Sequence, residues 1–180
     1  MAGVIAGDID SMGPLYERYK RPLFGYFLKL TGGDNNASED LVHTVFYRAI
    51  KYKNTYRCEG SFASWLFSIA HNTGIDHNRK IQKYNVYNAE YQAVNNIYYE
   101  QDDLEKSEMQ ITLDSALKKL KSEEREILIL SKVENLKYRD IAIIMNTTES
   151  NIKIKIFRAL KKLRDVYLTI ENKGYEKEKH

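Results

Sequence analysis

A basic helical segment from Glu149 to Arg164 carries the side chains whose chemistry is easiest to interpret in this sequence. Arginine and lysine donate hydrogen bonds to phosphate oxygens and to guanine, and asparagine pairs with adenine. At about 100° per residue, one face is apolar and comprises Ile152, Ile156, Ala159, Leu160 and Leu163. Opposite this face lie Ser150, Ile154, Arg158 and Lys161, with Asn151, Lys153, Lys155 and Lys162 beside them. Because the segment from Asn151 to Arg164 contains no acid, we predict one face that packs and another that contacts DNA.

The residues before this segment predict a helix-turn-helix. A short apolar helix from Tyr138 to Met145 is followed by a turn at Asn146 and Thr147, and Thr148 can cap the next helix. A helix over about 123–132 would cover both with Ile127, Leu128 and Leu130. The alternative is an ordinary three-helix bundle with lysines on its solvated side.

Four more amphipathic helices are predicted from the spacing of apolar residues. They run over about 13–31, ending at Gly32-Gly33; from Asn36 as cap to Lys53; over 61–80; and over 111–121. The third would turn Phe62, Trp65, Leu66, Ile69 and Ala70 inward. No strand alternation occurs in the sequence.

The distribution of charge divides the chain of 180 residues, whose formal net charge is only +3. Residues 1–80 are nearly balanced, residues 81–112 are acidic, and the rest is basic, which favours a nucleic-acid partner for the last part. We therefore predict an all-α protein of two small helical domains joined by a flexible acidic linker. The predicted parts are a tail (1–12), a first domain (13–82), the linker (83–110), a helix-turn-helix domain (111–170) and a charged tail (171–180).

Several classes of protein are disfavoured. No apolar run is long enough to span a bilayer and the first residues do not resemble a signal peptide, so we expect a cytoplasmic protein without membrane insertion. The single cysteine, Cys58, excludes an intramolecular disulfide. An enzyme that holds a metal through His43, His71 and His77 is a weak alternative, because their spacing is poor and no HExxH motif is present. We predict no catalytic residues, no metal and no cofactor.

Three ordered blocks resemble a known family. Residues 36–49 (NASEDLVHTVFYRA) look like the core-polymerase-binding helix of bacterial RNA polymerase sigma factors of the extracytoplasmic-function (ECF) class. Residues 62–76 (FASWLFSIAHNTGID) are similar to the family's helix that meets the −10 promoter element, and residues 112–168 to its −35-reading domain. Two positions depart from the common pattern: Asn146 stands where glycine is frequent, and Lys137 where a capping Ser or Thr is usual.

The resemblance implies three contact surfaces. Core polymerase would bind Glu39, Asp40, His43, Thr44, Tyr47 and Arg48. The −10 element would meet Tyr56, Arg57, Phe67, Ser68, His71, Asn72, Ile75, Arg79 and Lys80, with Asn72 reading a flipped base and the loop of Tyr56, Arg57 and Cys58 as a wall of its pocket. The −35 element would meet the eight outward residues of the basic helix, among which Lys155, Lys161 and Lys162 would hold the DNA backbone.

The resemblance also implies partners: core RNA polymerase, promoter DNA and an anti-sigma factor that holds the protein inactive. The implied function is promoter recognition, DNA melting and transcription initiation. The alternative is a helix-turn-helix repressor or response regulator that binds DNA without core polymerase.

Overall fold

A computed structural model describes residues 1–57, 61–88 and 107–177. The described residues form helices and short helical turns without a strand, which confirms the predicted all-α class. The chain divides into two compact units, Met1–Tyr99 and Glu100–His180. In the described ranges no helix has the length and apolar character that crossing a bilayer requires.

Unit 1 is built on three helices that share one apolar core. The three helices are α2 (Gly13–Leu30), α3 (Asn35–Lys51) and α4 (Phe62–Asn88). A short helix α1 (Ala2–Ile5) precedes them. Each of the three contributes large buried side chains at helical spacing, such as Phe27, Val45 and Leu66. Helix α4 continues eight residues past the predicted end at Lys80, into the segment expected to be linker. The rest of that connector, 89–106, lies outside the described residues.

The first twelve residues are folded, contrary to the predicted tail. Helix α1 is followed by a 3-10 turn from Ile9 to Met12, in which Asp8 caps through a hydrogen bond from the Asp10 amide (3.1 Å). Val4 is fully buried and Met12 nearly so. A short apolar anchor of this kind is hard to predict, because four residues do not establish a helical period.

The connection between α2 and α3 shows why the two helices start and stop where they do. Gly32 has a positive φ of 77°, and the Gly33 amide donates to the Leu28 carbonyl (2.9 Å), closing α2 as the glycine pair predicts. Helix α3 is capped by Asp34, which accepts from the Ala37 amide (2.9 Å), and not by Asn36. The helix therefore begins one residue before the predicted cap.

Unit 2 contains α5 (Glu108–Lys118), α6 (Ser122–Leu128), α7 (Tyr138–Ile144) and α8 (Glu149–Lys177), with a π-helical turn from Ile129 to Val133 after α6. Ser107 and Gln110 form a capping box that starts α5 three residues before the prediction. Arg125 donates to the carbonyls of Leu117, Lys118 and Leu120 (2.8–3.2 Å), which joins the end of α5 to α6. Burial lowers the pKa of the Arg125 guanidinium from its ordinary value.

The turn between α7 and α8 is the predicted one. Asn146 has a φ of 48°, a left-handed conformation that asparagine tolerates better than most residues. Lys137 precedes α7 without a capping side-chain hydrogen bond, while Thr148 caps α8 by accepting from the Asn151 amide (3.2 Å). Helix α8 does not end near Arg164 but runs to Lys177, so the predicted charged tail is largely helical.

Candidate nucleic-acid interface

Helix α3 presents a polar outer face beside the unit 1 core. Glu39, Asp40, His43 and Tyr47 are exposed, and Tyr47 keeps 67% of its surface accessible. Thr44 is half-buried and its hydroxyl donates to the Asp40 carbonyl (2.8 Å). Four of the six predicted polymerase-contact residues therefore lie fully on a solvent-facing surface.

A groove between α2 and α3 borders this surface, with a volume of about 450 Å³. Its floor is apolar and its rim combines basic and acidic groups. It is lined by Tyr16, Lys20, Arg21, Phe24, Gly25, Glu39, Val42 and His43. Glu39 and His43 thus belong both to the outer face of α3 and to the groove.

Arg48 differs from the other predicted polymerase contacts because it is already paired within unit 1. Its guanidinium lies 2.8 Å from the Asp76 carboxylate and donates to the Thr73 hydroxyl (3.3 Å). Both partners are on α4, and Thr73 is buried. Arg48 thus ties α3 to α4, which leaves less of its donor capacity for a partner, and its contact with polymerase stays a prediction.

One face of α4 carries four of the side chains predicted to meet the −10 element, together with Trp65, which was predicted to point inward. Helical spacing aligns Trp65, Ser68, Asn72, Ile75 and Arg79 over four turns. Asn72 and Arg79 are exposed, Ile75 keeps 41% of its surface accessible, and Ser68 is half-buried with its hydroxyl on the Ser64 carbonyl (2.9 Å). This face combines an amide, an apolar side chain and a cation. It suits contact with both a base and its backbone.

Three other predicted residues lie off that line. Lys80 is exposed on one flank of α4, and His71 is half-buried on the other. Phe67 has 1% of its surface exposed and contacts Tyr26 of α2 edge-to-face, with ring centroids 5.4 Å apart. The prediction that Phe67 faces DNA is therefore wrong, because its ring belongs to the core.

The loop after α3 is organised by aromatic contacts. Tyr56 is half-buried between Trp65 and Phe62, with ring centroids 5.4 and 5.9 Å away, and Arg57 is exposed. The Trp65 indole N–H donates to the Thr55 hydroxyl (3.2 Å). Cys58, the third member of the predicted pocket wall, lies outside the described residues.

The outer face of α8 carries most of the predicted −35 residues in an exposed position. They are Ser150, Asn151, Lys153, Ile154, Arg158 and Lys161. The Asn151 amide group donates to the Thr147 hydroxyl (2.8 Å), which orients its side chain at the start of the helix. Lys153 lies 2.8 Å from Glu149 one turn earlier, and this hydrogen bond raises the pKa of Lys153 above its ordinary value.

Besides Lys153, two of the eight predicted −35 residues are ion-paired inside unit 2, and their partners lie on another helix. Lys155 forms an ion pair with Glu123, and Lys162 lies 2.7 Å from Glu124. The contact with Lys162 lowers the pKa of Glu124 below its ordinary value. Both acids lie in the first turn of α6, so these lysines tie α8 to α6. To hold a DNA backbone, they would have to give up these ion pairs. The sequence contains a signal for this pairing: two adjacent acids, Glu123 and Glu124, on one helix, and two lysines seven residues apart on one side of another.

Phe157 is a functional candidate that sequence reasoning missed. Its side chain is 71% exposed, and it lies on the outer face of α8 beside Ile154 and Lys161. Leu160, predicted to pack, is 39% exposed at the edge of this face. A large exposed apolar side chain within a basic face indicates a contact surface. A helical projection of every residue in the segment, and not only of the apolar and the polar faces, places Phe157 beside Ile154 and Lys161.

Comparison with known families accounts for both units. The family model described as Sigma-70 region 2 matches residues 15–84, and the one described as Sigma-70, region 4 matches residues 110–163. The chain belongs to the sigma-70 family, in its ECF class. It is therefore a sigma factor that acts with RNA polymerase, as the three sequence blocks predicted.

Individual relatives support this assignment along nearly the whole chain. The RNA polymerase sigma factor YlaC of Bacillus subtilis is 28% identical over 158 residues, which cover 86% of this chain and 91% of YlaC. The ECF sigma factor BldN of Streptomyces coelicolor is 30% identical, over 88% of this chain and 61% of BldN. The sigma factor RpoE of Bartonella quintana, solved with the anti-sigma factor NepR, has a similar fold with a TM-score of 0.71 at 21% identity, covering 88% of this chain and 97% of that one.

Proposed function

We propose that this sigma factor reads promoters with two separate surfaces, the Asn72 face of α4 for the −10 element and the outer face of α8 for the −35 element. The observation that carries the proposal is that each unit presents one exposed, acid-poor helical face with base-reading and phosphate-binding groups side by side. The domains predicted from the sequence, 13–82 and 111–170, each contain one of these faces, and the helical residues 2–5 and 83–88 extend the first of them. Because it works on the chromosome with polymerase, we place the protein in the cytoplasm, as an initiation factor without catalytic activity.

Core polymerase would dock on the outer face of α3. Asp40 and Tyr47 offer an exposed acid and an exposed aromatic ring, a combination suited to a stable polar interface. Glu39 and His43 extend the surface to the groove shared with α2, whose apolar floor can receive a side chain of the polymerase. Arg48 supports this surface from behind through Asp76.

Melting of the −10 region would expose a base to Asn72. The exposed amide offers both a donor and an acceptor, so it can read a base edge, while Ile75 and the ring of Tyr56 supply apolar surface for stacking. Arg57, Arg79 and Lys80 are exposed cations that would hold neighbouring phosphates.

On the −35 element, Lys153 and Arg158 would donate to guanine or phosphate, and Asn151 would pair with adenine. Ile154 and Phe157 add an apolar strip that can contact thymine methyl groups. Lys161 remains exposed for the backbone. An anti-sigma factor that covers these faces would silence the protein, a partner suggested by the complex in which the similar RpoE was solved.

Run-off transcription with core enzyme on genomic DNA tests the proposal directly. Added protein should create new start sites, and sequencing the transcripts reveals the promoter motif. Asn72→Ala should weaken open-complex formation at these promoters while core binding stays unchanged. The absence of any start site, or tight sequence-specific binding to DNA without core enzyme, would instead indicate a repressor-like protein.

A further inference from the structure

The loop that precedes α4 is held from one side by the N-terminal segment. The Lys53 ammonium donates to the backbone carbonyl of Val4 (2.8 Å), and α1 contacts the 3-10 turn from Lys53 to Thr55. Val4 is completely buried. A hydrogen bond from a charged donor is stronger than one between neutral groups, so this contact can fix the turn in one position.

The same loop is held from the other side by α4. Trp65 donates to the Thr55 hydroxyl (3.2 Å), and that hydroxyl donates to the Tyr52 carbonyl (2.8 Å). The ring of Tyr56 packs against Trp65. Trp65 and Asn72 are seven residues apart and share one face of α4, so the loop is attached to the face that carries the base-reading amide.

We propose that residues 1–12 form a brace that sets the position of the loop 52–57 for base selection, with Lys53 as the positioning residue. The brace lies outside the Sigma-70 region 2 match, which begins at residue 15. This inference rests on the proposed −10 role of Asn72 and Tyr56. A surface loop without such contacts samples many positions, whereas discrimination between bases requires the pocket wall to stay within a fraction of an ångström of its place.

The proposal predicts a loss of selectivity rather than a loss of folding. The measured quantity is the ratio of open-complex formation rates, with full-length protein and core enzyme, between a promoter identified by run-off transcription and its variants at each −10 position. Lys53→Met removes the donor but keeps the aliphatic stem, and should lower the ratio at the captured base by about three- to tenfold, the scale of one hydrogen bond. Lys53→Arg keeps a cationic donor and should restore it.

Lys51→Met is the matched charge control. Lys51 is exposed two residues earlier, with its ammonium 5.5 Å from the Tyr52 ring centroid. Its substitution should leave the ratio unchanged. If Lys53 instead contacts a phosphate, Lys53→Met would weaken all promoter variants equally and reduce the salt dependence of binding, and this outcome would overturn the proposal.

A second pair of variants tests the brace without touching Lys53. Val4→Asp places a charge at a fully buried position and should detach α1, whereas Ile9→Asp adds the same charge at a position that is 58% exposed. Val4→Asp should lower the ratio like Lys53→Met, with core binding and the unfolding transition of α2–α4 retained. An unchanged ratio in a folded Val4→Asp protein would refute the brace. A wild-type protein without any −10 base preference would refute the proposed function itself.

Discussion

Among single residues, Arg48 has a structural contact with α4 and a predicted contact with core polymerase, and mutagenesis can separate the two. Arg48→Met removes the contacts with Asp76 and Thr73, so we expect the free energy of unfolding of unit 1 to fall by about 1 kcal/mol, the usual scale of a partly exposed ion pair. Chemical denaturation followed by circular dichroism measures this. Asp40→Asn is the comparison, because Asp40 is exposed: it should weaken core binding without changing stability. An Arg48→Met protein of unchanged stability but poor core binding would reverse this assignment.

Phe157 and Ile156 offer a matched pair of neighbours with opposite burial. Ile156 is 3% exposed, so Ile156→Ala should cost about 3 kcal/mol of stability through the cavity it leaves. Phe157 is 71% exposed, so Phe157→Ala should leave thermal unfolding nearly unchanged and lower transcription from promoters whose −35 element carries thymine. Equal transcription from promoters with and without that thymine, in wild type and variant alike, would remove Phe157 from the reading face.

The same contrast shows what the sequence could predict about individual side chains. The inward positions of α8 were found because Ile152, Ile156 and Ala159 repeat at helical spacing. Phe67 was misplaced because its burial depends on Tyr26 of another helix, and a single-helix pattern contains no information about that neighbour. Lys155 and Lys162 were assigned to DNA for the same reason, since their acidic partners belong to α6.

For whole elements, helix existence was predictable and helix ends were less so. The glycine pair closes α2 as expected, whereas α4 and α8 continue past their predicted ends, where no glycine pair or proline marks a stop. The sequence predicts Asn36 as the cap of α3, whereas Asp34 caps it in the structure. Both residue types can cap, and only the geometry of the preceding turn selects one of them.

The contact between α6 and α8 leads to a prediction about pH. The folded pKa of Glu124 is lowered by Lys162, so the pair contributes stability above the unfolded pKa of a glutamate and loses it as the pH falls below about 4.3. Glu124→Gln keeps an acceptor for the Lys121 amide but removes the charge. Urea unfolding should therefore show a smaller difference between neutral and acidic pH in the variant. An identical pH dependence in both proteins would show that the ion pair between Glu124 and Lys162 does not contribute to the pH dependence of stability.

The same ion pairs predict how α8 responds to salt on DNA. Replacing Glu123 and Glu124 by glutamine releases Lys155 and Lys162, and each lysine that reaches a phosphate should add up to about 0.9 to the salt slope of promoter binding by the holoenzyme. Asp165→Asn removes an exposed acid from α8 as a charge control and should change the slope less. If the double variant and the control behave alike, the lysines do not reach the DNA.

For the whole molecule, the division into two units makes the covalent connection itself a test of the mechanism. When two binding modules share one chain, the second binds at an effective concentration set by the length of the connection, which reaches the millimolar range for short connections. Cleavage at a protease site inserted after Tyr99 should leave both units folded, because each has its own buried core. Transcription should nevertheless fall by at least about 100-fold at nanomolar protein, with partial recovery as both halves are added in excess.

The first control is the uncleaved protein that carries the same inserted site. The second control carries a scrambled site, and treatment with the protease should leave its activity unchanged. Full activity of the cleaved halves at nanomolar concentration would mean that each unit binds core polymerase tightly by itself, so the link would add little. Activity lost in the uncleaved insertion variant would instead mean that the connector acts through its own sequence. Between these outcomes, a concentration-dependent rescue identifies coupling through the chain, because only effective concentration responds to the amount of free partner.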